Sequence, residues 1–208
     1  IGHKLAEAWD SRKDMVRASE NDTSLLHTIR EHSKFVTSLI LMSASRFVSG
    51  GWDGIKLMGI ETDASTGNIT HKVLRSLDAG SVEEMVKLDE TKIVVKYYEE
   101  DACKIFNIET GDSSDVLAHP ANVTSVAVSP SGGCILTGCE DQKVRKWSAV
   151  PPYNLMEWEC TLPLAEKDSK EDDSDRPYIQ VVFLDDDWFV VGYEKLFIMK
   201  VDDGSVVR

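Results

Sequence analysis

The stretch VLAHPANVTSVAVSPSGGCILTGCEDQKVRKW, residues 116–147, decides how the chain is read. An apolar run, Val123 to Ser129, is followed by the turn composition Ser-Pro-Ser-Gly-Gly, and a second run, Cys134 to Cys139, leads into an acidic turn at Glu140-Asp141. A third run from Val144 ends in the bulky Trp147. Alternating apolar residues punctuated by Gly, Pro and Asp at the bends are the signature of antiparallel hairpins, because those residues supply the backbone conformations that tight turns require.

The same shape occurs three more times, as RFVSGGWDGIKLMGIET (46–62), KIVVKYYEEDACKIFNIETG (92–111) and WFVVGYEKLFIMKVDDG (188–204). The strands after the acidic turns begin near Ile55, Cys103, Val144 and Leu196. Intervals of roughly 40 to 50 residues match the period of a four-stranded propeller blade. The alternation places inner strands at 35–42, 82–88, 123–129 and 178–184, and outer strands at 69–77, 113–117, 156–162 and from Ser205 onward. Ahead of them, Lys4 to Glu20 carries Leu5, Ala8, Trp9, Met15 and Val16 among charges with no Gly or Pro, which predicts an amphipathic helix. The expected organisation is therefore a helix or linker over 1–22 and blades over 23–208, with 23–29 as an outer strand that closes a ring.

In these residues the chain resembles the WD-repeat β-propellers, an all-β family. That resemblance implies a segment of about four four-stranded blades after the N-terminal helix. It also implies a hydrogen-bonded chain in the third unit through His119, Thr137, Asp141 and Trp147, and a shorter one in the first through His32, Ser49 and Asp53, where Met58 replaces Trp. The second unit has Phe106 in the Trp place and no His near Ala79-Gly80, and the fourth has Met199. Since four blades are few for a closed ring in this family, further blades from the same or another chain are expected. The positions just before the acidic turns, Trp52, Tyr98, Glu140 and Tyr193, are the implied partner-binding rim.

Composition narrows the function. The chain has 208 residues, 42% hydrophobic and 28% charged, with a formal net charge of -13. That charge argues against direct binding of nucleic acid and favours protein or peptide partners, basic ones in particular. Cys103, Cys134, Cys139 and Cys160 make no Cys-x-x-Cys pair, so a reducing intracellular compartment, cytoplasmic or nuclear, is expected, and neither zinc nor a disulfide framework. No apolar run approaches the roughly 18 residues of a membrane helix. Phosphate-binding loops, metal-binding His pairs and nucleophile elbows are missing, so no catalytic, cofactor or metal residues are assigned. Asp185-Asp186-Asp187 reads as a turn, not a cation site, and the acidic stretch 166–175 as a solvated loop in which Ser169 and Ser174 are candidate phosphorylation sites. The expected function is a non-catalytic interaction scaffold or adaptor within a multi-protein complex. The alternative is a substrate receptor of an F-box ubiquitin ligase, suggested by the texture of the first blade and the helix bearing Trp9.

Overall fold

The computed structural model describes residues 27–162, 177–193 and 195–206. Blade 1 is β1 (Val36–Ser43), β2 (Arg46–Gly51), β3 (Gly54–Thr62) and β4 (Ile69–Leu77), and blade 2 is β5 (Val82–Lys87), β6 (Lys92–Tyr97), β7 (Ala102–Asn107) and β8 (Ser113–Ala118). Blade 3 is β9 (Val123–Val128), β10 (Cys134–Cys139), β11 (Lys143–Ser148) and β12 (Met156–Thr161), and blade 4 is β13 (Gln180–Phe183), β14 (Trp188–Gly192) and β15 (Leu196–Lys200). Each is an antiparallel meander in chain order. The outer strand expected from Ser205 is a single bridge, Met199 to Val206, within the described residues. The helix expected over 1–22, residues 23–26 of the expected closing strand, and the acidic stretch with Ser169 and Ser174 lie outside those residues.

Side-chain acceptors shape the turns between inner and second strands. Asp89 Oδ1 accepts the Thr91 and Lys92 N–H groups, Ser129 Oγ those of Gly133 and Cys134, and Asp185 Oδ1 those of Asp187 and Trp188. These local bonds stand in for backbone turns. Asp185 thus shapes its own turn, and Asp186 accepts the Ser131 N–H of blade 3 at 3.0 Å.

Alternation gives every blade two faces, and the blades stack in one sense. Ile40, Val48, Ile55 and Leu57 of blade 1 pack on Met85, Ile93, Val95 and Phe106 of blade 2. Val94, Cys103 and Ile105 of blade 2 meet Val126, Ile135 and Trp147 of blade 3, and Leu136 and Val144 of blade 3 meet Val181, Phe189 and Met199 of blade 4. Call the packed face of blade 1 its far face and that of blade 2 its near face; all three junctions then join far to near. Inner strands add hydrogen bonds across junctions. Thr37 Oγ1 donates to Val82 O at 2.7 Å, and Thr124 Oγ1 to Ile179 O at 2.7 Å. Ser38 and Ser125 accept from the Met85 and Val181 N–H groups.

Such stacking needs a residue without a side chain where β2 and β10 pass the next inner strand. A Cβ on Gly138 would sit 2.8 Å from both Ile179 O and Ile179 Cγ2. Gly138→Ala is therefore expected to destabilise by about 2 kcal/mol through overpacking against backbone. Gly133→Ala, which meets only the side chains of Ser131 and Ser129, serves as the mild control, both read by urea unfolding.

Candidate interaction rim

Blade 3 carries a buried polar chain whose direction follows from chemistry. Trp147 Nε1–H donates to Thr137 Oγ1 at 2.9 Å, and Thr137 Oγ1 lies 2.8 Å from His119 Nε2. His119 Nδ1 lies 2.8 Å from Leu117 O, a carbonyl that can only accept, so Nδ1 bears the proton and Nε2 accepts from the Thr137 hydroxyl. Burial, with the Arg145 charge adding to it, pushes the imidazole down to about 4, in keeping with the neutral tautomer.

Asp141 does not join this chain, contrary to the sequence expectation. Its carboxylate accepts from both terminal guanidinium nitrogens of Arg145, at 2.5 and 3.2 Å, and from the Lys143 N–H. A two-pronged charged partner outcompetes a neutral imidazole. Although burial opposes it, the Arg145 bond holds the Asp141 carboxyl below its usual range. In blade 1 the corresponding chain includes the acid: His32 reaches Asp53 Oδ1 at 2.6 Å through Nδ1 and Ser49 Oγ at 2.7 Å through Nε2. Asp53 also accepts from the Ser33 N–H and hydroxyl, and these bonds, against partial burial, hold its carboxyl far below normal. Met58, Phe106 and Met199 occupy the register of Trp147, opposite Phe47, Ile93 and Phe189, and all are buried.

Blade 2 lacks the polar chain altogether. Val95 stands in the place of Thr137 and Phe106 in that of Trp147, so the hydroxyl and the indole N–H are absent together. A further pair of changes escaped the sequence reading. Opposite Gly50 and Gly138 on the inner strands are Ser38 and Ser125; in blade 2 these places hold Lys96 and Glu84. Lys96 is 1% exposed, and its Nζ lies 2.5 Å from Glu83 Oε2. Glu84 Oε2 accepts the Val126 N–H of blade 3, the junction role that serine plays elsewhere. The signal was legible as VEE with a Lys where the sister blades read VTS with a Gly.

The expected rim positions are equivalent in three blades. Trp52 N–H donates to Phe35 O at 3.1 Å, Tyr98 N–H to Ser81 O at 3.1 Å, and Glu140 N–H to Asn122 O at 3.0 Å. The structure brings Trp52 and Tyr98 together, their ring centroids 6.2 Å apart, and adds Phe35, edge-on to Trp52 at 5.4 Å. Phe35, Trp52 and Tyr98 are 72%, 41% and 52% exposed. Phe35 was missed because the alternation placed it inside the inner strand, whereas it lies on the loop before it. Glu140 is half-buried and bonded to Asn122 Nδ2, and Tyr193 sits half-buried at the β14–β15 turn. Among the described residues, no group of three His, Cys, Asp or Glu side chains could hold a metal ion.

Comparison with known proteins agrees with this geometry. Two stretches, residues 23–55 and 111–148, match the family model of the WD domain, G-beta repeat. The crystal structure of the WD40 beta propeller domain of Doa1 overlays with a TM-score of 0.60 at 19% identity, covering 81% of this chain and 51% of that one. No curated protein matches the chain in sequence. Among the described residues the blades form an arc with the fold of the Doa1 β-propeller, and two stretches of the chain resemble the WD repeat. The chain spans about half the length of the Doa1 propeller, and 1170 solved chains match it, so the fold alone selects no partner.

Proposed function

We propose that the chain is a non-catalytic protein-interaction platform, a scaffold or adaptor that binds through the loop edge of its blades. The exposed Phe35–Trp52–Tyr98 cluster carries this reading. Three large rings held on turns braced by β-strands give an interface anchor whose ordering cost is already met on folding. The His32–Asp53 pair fixes the turn beside Trp52. The test is a phage-displayed random peptide library panned on the chain. Enriched peptides should lose at least about tenfold in affinity for Trp52→Ala or Tyr98→Ala and none for Leu74→Ser on the outer strand β4. Enrichment that ignores both rings would reject the rim.

We further propose that more blades complete the ring, from this protein or another. Leu39 and Leu41 leave the near face of blade 1 exposed, and Val182, Leu184 and Ile198 do the same on the far face of blade 4. These are the two halves of the far-to-near junction repeated three times inside the arc. The matched stretch 23–55 is framed on blade 1 as 111–148 is on blade 3, where it includes β8 of the preceding blade. His27 already lies against His71 of β4, ring centroids 4.9 Å apart. No observation favours the ubiquitin-ligase receptor, and carboxylates around the rim would repel a phosphorylated segment. The four cysteines are free, in keeping with an intracellular setting.

A further inference from the structure

We propose that the rim from Trp52 to Tyr178 receives an extended partner segment bearing arginine or lysine, with Glu83 as the counter-charge that selects it. This rests on the platform reading above and specifies its partner. Tyr178, on the loop before β13, lies two residues before Gln180, which faces Gly192 as Ser38 faces Gly50, so it takes the place that Val36 has in blade 1, and it is exposed. Its hydroxyl lies within electrostatic reach of Glu83 and Glu84, and that of Tyr98 within reach of Glu99 and Glu83. Glu83 thus stands between two exposed tyrosines contributed by blades 2 and 4. The corresponding residues Thr37 and Thr124 are spent on backbone carbonyls of the next blade, whereas Glu83 is turned onto Lys96.

The charges do not balance at this point. One buried ammonium faces two carboxylates, Glu83 and Glu84, which leaves a net negative charge beneath the rings. Lys96 is buried and cannot reach a ligand, so it acts as a positioning residue for Glu83, whose side chain keeps 30% exposure. Glu99, Glu100 and Asp101 follow directly on Tyr98 and add to the field, in a chain whose formal net charge is -13. A guanidinium or ammonium is attracted both to such a carboxylate and to ring faces, and its aliphatic stem covers apolar surface. Bulky apolar neighbours in the same segment would lie on Phe35 and Trp52.

The test uses the full chain and three fluorescein-labelled peptides of equal length, in which leucine alternates with arginine, glutamate or serine. Anisotropy should show the arginine peptide binding at least about tenfold tighter than the other two, and weakening several-fold as salt is raised. Glu83→Gln and Tyr98→Ala should each weaken it about fivefold or more, measured well below the unfolding transition because Glu83→Gln also takes a partner from buried Lys96 and lowers Tm. Equal binding of the glutamate peptide, or wild-type affinity in both variants, overturns the proposal. Binding that is lost in Trp52→Ala but unchanged in Glu83→Gln also overturns it while leaving the platform standing. If no peptide binds, the basic partner falls, and the library selection still judges the platform by its own outcome.

Discussion

Thr137→Val is expected to be among the most damaging single changes in the arc, lowering stability by roughly 3 kcal/mol and Tm by on the order of 8 °C. The side chain is fully buried, and the hydroxyl serves two partners at once, accepting from Trp147 Nε1 and donating to His119 Nε2. Valine keeps the shape and strands both, and each orphaned buried group costs about 1 to 3 kcal/mol. Thr137→Ser should stay near wild type. Blade 2 supplies nature's version of a full replacement, with Val95 and Phe106 at the same two places. Thr137→Val/Trp147→Phe should therefore cost about 1 kcal/mol less than the sum of the single changes, read by urea unfolding in a double-mutant cycle. Strict additivity would mean that the hydrogen bonds do not couple.

The same chain fixes a pH dependence. His119 binds its proton near 6.5 when unfolded and at about 4 when folded, so the unfolded state takes up the extra proton in between. Stability is complete above about 6.5 and falls as pH drops toward 4, by at most roughly 3 kcal/mol from this group. Asp53 and Asp141, held low in the fold, lose their contributions only below the ordinary carboxylate range, so the two windows separate. His119→Gln should flatten the upper slope and leave the lower one; an unchanged slope would assign it to other groups.

How far the fold could be read from residues depended on whether each signal was local. Strand order and outer-strand limits such as Ile69–Leu77 follow from alternation and turn chemistry, both carried within a few neighbouring residues. The partner of Asp141 was misread because Arg145, four residues on, competes for it, and that outcome depends on side-chain reach rather than on motif. The ring cluster was half legible: Trp52 and Tyr98 share a place in the repeat, but their approach across the blade 1–2 junction is tertiary. Lys96 carries no local signal, because nothing in β6 alone says that its side chain points into a junction. Only the comparison with Gly50 and Gly138, both pressed against the next inner strand, makes a lysine there anomalous.

That lysine should be correspondingly costly to remove. Lys96→Met takes the buried ammonium away from Glu83 and Glu84 and leaves two carboxylates side by side at the blade 2–3 junction. Breaking a buried pair from one side typically costs 3 to 5 kcal/mol, and about that loss is expected at pH 7. Burial already raises the Glu84 carboxyl, and Lys96 is what restrains the rise. A carboxyl raised in the fold stabilises at pH below its unfolded value and loses that contribution as pH climbs through the folded one. Without Lys96 the folded value rises further, so the deficit of the variant should shrink as pH is lowered from 7 toward 5. Adding Glu83→Gln and Glu84→Gln should recover most of the loss at pH 7, because the amide of residue 84 still accepts the Val126 N–H while the repulsion is gone. Urea unfolding of the single and triple variants at the two pH values checks both statements. A deficit that is independent of pH and not rescued would mean that Lys96 stabilises the junction by packing its alkyl stem rather than by its charge.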